Sequence, residues 1–139
     1  MTYLLDTHCL VWLLSGHSDY LPKNIEEDIV FYTNSYAVSE MTLVEIVQLR
    51  HKGNFELNIT PKELRKNLDY LNISVIPLSD GIIYTFHLLP IPTLKNTKHS
   101  DPFDRLIIST AIKSKRRLAS HDSRFPWYKE HCKLDLLSF

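Results

Sequence analysis

Four acids occupy comparable places in the chain. Asp6 directly follows the apolar run Tyr3-Leu4-Leu5, and Asp122 lies just past Leu118-Ala119-Ser120. Glu45 falls in the first turns of a helical pattern behind Tyr36-Ala37-Val38-Ser39, and Asp104 opens another helical pattern behind a loop. Two carboxylates about 4 Å apart repel by roughly 4 kcal/mol at an effective dielectric of about 20, so acids gathered at one place need a cation or a proton. Hard oxygen donors at that density suit Mg²⁺ or Mn²⁺, which hold phosphate oxygens and activate water for in-line displacement. Hydrolysis of a phosphodiester is the chemistry that follows.

Each acid also has a structural use. Asp101 can cap a helix with Asp104 three residues on. Glu45 has capping-box spacing from Thr42, and Asp122 can start a turn ahead of Ser123 and Arg124. Asp6 gains little after an apolar strand unless it binds something or caps the next helix. The four acids at four equivalent places carry the functional reading.

The elements that would position them alternate. Tyr3 to Leu5 reads as a strand, and Leu10, Val11, Leu13 and Leu14 continue at helical spacing. Pro22 to about Ser35 reads as a helix with Glu26, Glu27 and Asp28 early. Tyr36 to Ser39 reads as a buried strand leading into a helix from Thr42 to Gly53. Thr60-Pro61-Lys62-Glu63 starts another helix with Leu64, Leu68 and Leu71 as its stripe. Ile73 to Leu78 predicts a strand, and Ser79-Asp80 opens a helix with Ile82, Ile83, Phe86 and Leu89. Pro90 to Ser100, with two prolines, reads as a loop. Asp101 starts a helix that ends near Lys113, Lys115, Arg116 and Arg117, Leu118 to Ser120 is a short strand, and Leu134 to Leu137 is a last one. Strands alternating with helices predict an α/β sandwich around a mainly parallel sheet, with the chemistry outside the carboxyl ends of the strands.

Composition narrows the function classes. At 139 residues, with 44% hydrophobic and 23% charged, the chain has the length and balance of one globular domain, 1–139. Three glycines, Gly16, Gly53 and Gly81, lie far apart and leave no Walker A loop or dinucleotide-binding fingerprint. Two cysteines, Cys9 and Cys132, make neither a disulfide framework nor a thiolate zinc site, and they suit a reducing cytosol. Neither a G-x-S-x-G elbow nor an H-E-x-x-H pair occurs. The apolar run Cys9 to Leu14 is too short to span a bilayer, so a soluble cytoplasmic protein is expected.

Leu4-Leu5-Asp6-Thr7-His8, Val38-Ser39 with Thr42 and Glu45-Ile46, His99-Ser100-Asp101-Pro102-Phe103-Asp104-Arg105-Leu106-Ile107-Ile108, and Leu118-Ala119-Ser120-His121-Asp122 with Phe125 together resemble the PIN domain. More narrowly they resemble the small bacterial proteins grouped with the VapC toxins of toxin-antitoxin pairs. The resemblance spans essentially the whole chain and is most specific from Asp101 to Ile108. It implies a three-layer α/β/α sandwich and a metal-dependent endoribonuclease, with Asp6, Glu45, Asp104 and Asp122 as the acidic quartet that binds Mg²⁺ or Mn²⁺. It further implies that Thr7 and Ser120 orient quartet members and that Asp101 is an extra ligand or a cap. Arg105, beside Asp104, is read from its position as a phosphate contact or the partner of a neighbouring acid. An RNA substrate, a homodimer and a small antitoxin whose C-terminal segment silences the groove are the implied partners. The alternative within the same fold is an RNA-binding or regulatory module with little turnover.

Around these motifs, the loop from Pro90 to His99 carries Lys95 and Lys98. Trp127 could stack a base but is expected to pack on the core or a partner, and Trp12 is expected in the core or a dimer interface. His8, His99 and His121 neighbour quartet acids and are read as solvated or supporting groups. Sixteen basic residues balance sixteen acidic ones, yet ten basic residues against four acids fall between Thr93 and Lys133, a surplus of six. Such a basic stretch beside an acidic cluster is what an enzyme of phosphate backbones requires.

Overall fold

The computed structural model describes residues 1–51 and 57–139. Five parallel strands form one sheet: β1 (Thr2–Leu5), β2 (Ser35–Ser39), β3 (Ile73–Ile76), β6 (Arg117–Ser120) and β7 (Leu136–Ser138), in the order β3-β2-β1-β6-β7. Between them run α1 (Thr7–Leu14), α2 (Lys23–Phe31), α3 (Glu40–His51), α4 (Pro61–Tyr70), α5 (Asp80–Leu88), α6 (Pro102–Ser114) and α7 (Phe125–His131). Parallel neighbours need crossover connections, and helices supply them on both faces.

Strand side chains alternate between faces, so each strand feeds two cores. Tyr3, Leu5, Tyr36, Val38, Ile73 and Ala119 meet Leu10, Ile25, Ile29, Ile46, Leu64 and Leu68 on one face. Leu4, Ala37, Leu118 and Leu136 meet Ile107, Ile108, Ala111, Phe125 and Tyr128 on the other. Helix, sheet and helix therefore stack in three layers, the α/β/α sandwich expected. Tyr3 and Tyr36, opposite each other in register, stack at 5.0 Å between ring centroids.

Local chemistry sets the boundaries. Thr60 accepts from the Glu63 N–H at 3.2 Å, Pro61 occupies the first turn, and Leu64 and Leu68 lie one turn apart in the core. The Glu63 carboxylate meets the Thr60 hydroxyl rather than the cap nitrogen. Ser79 caps α5 through the Ile82 N–H. Helix α2 stops at Phe31, short of the expected Ser35, because Tyr32 turns into the left-handed region at φ 54°. Asp28 then holds Thr33, Asn34 and the Tyr36 hydroxyl, tying the helix end to β2.

Two expectations change, and a third, the packing of Trp127, is met within a helix. Pro90 to Ser100 contains a small hairpin, β4 (Thr93–Leu94) with β5 (Thr97–Lys98), closed by Lys95 and Asn96 at φ 51° and 64°. A two-residue hairpin turn favours such positive φ values at both positions. The segment around Trp127 is helical, with Tyr128 wholly buried and Trp127 packed against the second core. Helix α3 begins at Glu40, two residues before Thr42, so Thr42 is interior and no capping box forms there; the Ser39 hydroxyl takes the Met41 N–H instead. The expected end of this helix at Gly53 lies outside the described residues.

Candidate active site

Register places the site. Leu5 pairs with Val38 on one side and Ala119 on the other, so Asp6, Ser39 and Ser120 emerge together at the carboxyl edge of the three central strands. Asp6 is 5% exposed and caps α1, its Oδ1 accepting from the Cys9 N–H at 2.9 Å. Its Oδ2 accepts from the Ser120 hydroxyl at 2.5 Å. Ser120 in turn accepts from the Asp122 N–H at 3.1 Å, so one hydroxyl indexes two of the four acids.

Glu45 reaches the same edge from α3. Its Oε1 accepts from the Thr7 hydroxyl at 2.5 Å, and the Thr42 hydroxyl lies 3.3 Å from that of Thr7. Glu45 is thus held by the residue that follows Asp6 and not by a cap bond to Thr42. Its pKa is raised, first by burial and then by the charges of Asp104 and Asp101, against the lowering influence of Thr7 and His8.

Asp104, on the first turn of α6, is positioned by its own helix start. Asp101 caps that helix, accepting from the Phe103 N–H at 2.8 Å and more distantly from the Asp104 N–H at 3.4 Å. Of the two roles expected for Asp101, the cap is the one seen, while its charge still acts on Asp104. Burial raises the Asp104 pKa most, with Asp101 and Asp122 adding to it; His99 and Arg124 work the other way. The His99 Nε2 lies 3.1 Å from Asp104 Oδ2. At 5% exposure His99 is no solvated bystander.

Asp122 turns back on its own loop. Its Oδ1 accepts from the backbone N–H and the Nε–H of Arg124, each at 2.9 Å, and its Oδ2 from Nη2 at 2.6 Å. Burial opposes ionisation of Asp122, but the bonds and charge of Arg124 outweigh it, and the pKa falls below the ordinary value. The same Nη2 reaches Asp104 Oδ2 at 3.3 Å. Arg124, half exposed, is the cation of this edge; sequence reasoning missed it, although Asp-x-Arg is a spacing that lets an Asx turn fold a guanidinium onto its own carboxylate.

Arg105 turns away from Asp104 into the protein. It is 5% exposed, donates to the carbonyls of Leu89 and Pro90 and to the Tyr128 hydroxyl, each at 3.0 Å, and lies over the Phe86 ring. Among the described residues it forms an ion pair with no acid. A guanidinium with its donors committed to buried carbonyls secures the link between α5 and α6.

Electrostatically, then, Glu45, Asp104 and Asp122 act on one another or through a shared neighbour, and Asp6 joins Asp122 through Ser120. Among the described residues no group of three or more His, Cys, Asp or Glu side chains is placed to hold a metal ion; the guanidinium of Arg124 occupies two of the carboxylates. The donor set nonetheless fits a hard divalent cation: all four are carboxylates, and two of them carry raised pKa values that a nearby positive charge would lower. Two clefts adjoin these residues. Asp6, His8, Trp12, His121 and Asp122 line one of about 190 Å³, and Lys98, His99, Asp101 and Arg124 contribute to another of about 210 Å³. Trp12, half-buried, makes edge contacts with Tyr20, His121 and Phe139 beside the first.

Solved structures share this architecture. VapBC2 from Rickettsia felis, bound to a DNA fragment from its promoter, matches over 100% of this chain and 99% of its own at 20% identity and a TM-score of 0.69. VapBC-1 from nontypeable Haemophilus influenzae matches over 99% and 98% at 16% identity and a TM-score of 0.66. VapBC-5 from Mycobacterium tuberculosis, of the VapBC family of toxin-antitoxin systems, matches over 99% and 98% at 14% identity and a TM-score of 0.59. At these identities the likeness is one of fold. No curated protein sequence matches the chain. The family model described as PIN domain matches residues 3–130, which take in four of the five sheet strands and all but the last residue of α7, and the chain belongs to the PIN domain family.

Proposed function

We propose that this chain is a metal-dependent endoribonuclease, the toxin of a toxin-antitoxin pair. The observation that carries the reading is the gathering of Asp6, Glu45, Asp104 and Asp122 at the carboxyl edge of a parallel sheet, with Glu45 and Asp104 raised in pKa by burial and by neighbouring acids. Burying acids together has a cost unless a cation joins them.

Mg²⁺ or Mn²⁺ would be held by those four carboxylates, and when bound it supplies a water of lowered pKa and positive charge opposite a phosphodiester. The chain's own residues prepare that edge. Ser120 fixes Asp6 and the backbone of Asp122, and Thr7 fixes Glu45. Arg124 presents an exposed guanidinium suited to a phosphate oxygen once its hold on Asp104 is given up. A cleft lined by Asp6 and Asp122, and another lined by His99, Asp101 and Arg124, offer room for a polymer, and the basic surplus between Thr93 and Lys133 supports a phosphate backbone as its charge partner.

The partner reading rests on the structural relatives, which are VapBC toxin-antitoxin proteins. A small antitoxin, a homodimeric state, one domain over 1–139 and a cytoplasmic setting belong to the same proposal. Among the described residues no helix is long and apolar enough to cross a membrane. A second reading, a PIN-fold RNA-binding module with little turnover, is favoured by one observation: Arg124 already neutralises Asp122 and Asp104.

Incubating the purified chain with structured and single-stranded RNAs, with and without Mg²⁺ or Mn²⁺, separates the two. Cleavage that needs the metal and disappears in Asp6→Asn supports the nuclease. RNA binding without cleavage under every metal tried, in protein free of antitoxin, supports the module, and cleavage surviving Asp6→Asn removes Asp6 from the site.

A further inference from the structure

The four acids account for His99, Tyr128 and Arg105 only as neighbours, yet these three form a continuous buried line that ends on Asp104. Arg105 Nη1 lies 3.0 Å from the Tyr128 hydroxyl, that hydroxyl lies 2.8 Å from His99 Nδ1, and His99 Nε2 lies 3.1 Å from Asp104 Oδ2. Tyr128 is 0% exposed, and His99 and Arg105 are 5% exposed.

We propose that His99 is a positioning residue for Asp104, fixed by Tyr128 and Arg105 in the tautomer that carries its proton on Nε2. A guanidinium has donors only, so the Tyr128 oxygen must accept from Arg105. The phenol keeps one proton, and among the described residues the other partner within reach is His99 Nδ1. If Nδ1 carried a hydrogen, it would face the phenol oxygen and leave the phenol proton buried without an acceptor, an arrangement folded proteins avoid. With Nδ1 bare, the phenol donates to it and every atom in the line is satisfied; among the described residues no buried side-chain nitrogen or oxygen lacks a partner.

The other end of the ring requires the same state. An ionised carboxylate accepts only, so the nitrogen facing Asp104 Oδ2 must be the protonated one. The two ends are independent and agree. Arg105 is itself fixed by the carbonyls of Leu89 and Pro90, so the line is rooted in backbone at the α5 to α6 connection. Its effect is to hold one Asp104 oxygen by a directional donor that carries no formal charge, leaving the carboxylate charge for a cation. Arg124 also approaches Oδ2, but from an exposed loop and at 3.3 Å, and so holds it less rigidly. Outer partners of this kind, which orient a ligating carboxylate, commonly change metal affinity or activity by about 10–100-fold when removed.

This inference rests on the nuclease reading only for the purpose it assigns to Asp104. Nitrogen-15 correlation spectra of the metal-free chain at neutral pH report the His99 tautomer without any need for metal or RNA. The expected result is a protonated Nε2 and a bare Nδ1 in the wild type, and loss of that single state in Tyr128→Phe, which keeps the ring and removes the proton. Mn²⁺ titration of the same proteins then reads the consequence: affinity falls by about tenfold in Tyr128→Phe and more in His99→Ala, and His99→Gln, which can place an N–H toward Asp104, recovers part of it. A protonated Nδ1 in the wild type, or Mn²⁺ affinity in Tyr128→Phe and His99→Ala equal to wild type, overturns the proposal. A wild type with the assigned tautomer that binds no Mn²⁺ defeats the nuclease reading and the purpose assigned here, and leaves the tautomer standing.

Discussion

The Ser120 hydroxyl donates to Asp6 across 114 positions of sequence, at 2.5 Å and 0% exposure. Two adjacent parallel strands end together there, and the same short side chain joins Asp6, just past β1, to the last residue of β6 and to the Asp122 N–H beyond it. Ser120→Ala removes that donor and the acceptor for the Asp122 N–H while leaving the strand intact. The expected outcome is a 10–100-fold loss of metal affinity and cleavage rate, together with roughly 1–3 kcal/mol of stability from a buried carboxylate left short of a donor. Calorimetric Mn²⁺ titration and urea unfolding read the two effects separately.

The paired elevations of Glu45 and Asp104 fix a sign for the pH dependence of stability. An acid whose folded pKa exceeds its unfolded value binds more protons in the native state, so stability contributed by that group is present at lower pH and lost as pH rises from the unfolded value through the folded one. The metal-free protein therefore loses stability from these two groups as pH rises above the ordinary carboxylate range. Glu45→Gln, which keeps an oxygen for Thr7, flattens that dependence. Melting temperatures between pH 4 and 8 without metal check it, and equal slopes in the variant and the wild type would contradict it.

Removing the guanidinium of Arg124 frees Asp122 and Asp104 from a competing cation. Arg124→Ala should therefore bind Mn²⁺ at least as tightly as wild type, while RNA cleavage falls by about tenfold or more through loss of a phosphate partner. Parallel metal titration and cleavage kinetics distinguish this from general damage to the site, in which both would fall.

Arg105 behaves differently. Because its donors serve Leu89, Pro90 and Tyr128, Arg105→Met should cost about 2–5 kcal/mol of stability, leaving buried acceptors unpaired. RNA affinity of the folded protein should not change. Weakened RNA binding by a fully stable variant would return Arg105 to the phosphate.

The contrast between the two arginines shows where sequence stops being informative. Arg105 stands next to Asp104, but successive helix residues turn by about 100°, so the neighbour of a site acid faces elsewhere. Arg124 lies two residues beyond Asp122 in a turn, where a side chain can fold back on the acid before it. Asp6 and Asp122 were legible because a parallel sheet delivers strand ends to one edge. Asp101, Thr60 and Ser79 were legible because caps act within three residues. The Thr42 and Glu45 pair misled for the converse reason: the spacing was right, but α3 started earlier, and Glu45 found its partner 38 positions away in Thr7. The hairpin within Pro90 to Ser100 was masked by its prolines, although Asn96 in a two-residue turn was the available signal. Long-range pairs such as His99 with Tyr128 have no local signature at all.

Anomalous scattering from Mn²⁺ in crystals of the chain reads the four-carboxylate site itself. The expected result is a peak at the carboxyl edge of β1 and β6, bound by oxygens of Asp6, Glu45, Asp104 and Asp122, with Arg124 withdrawn from Asp104, and no such peak in Asp104→Asn. A peak held by other residues, or Arg124 still bridging Asp122 and Asp104 in a protein that cleaves RNA, would contradict it.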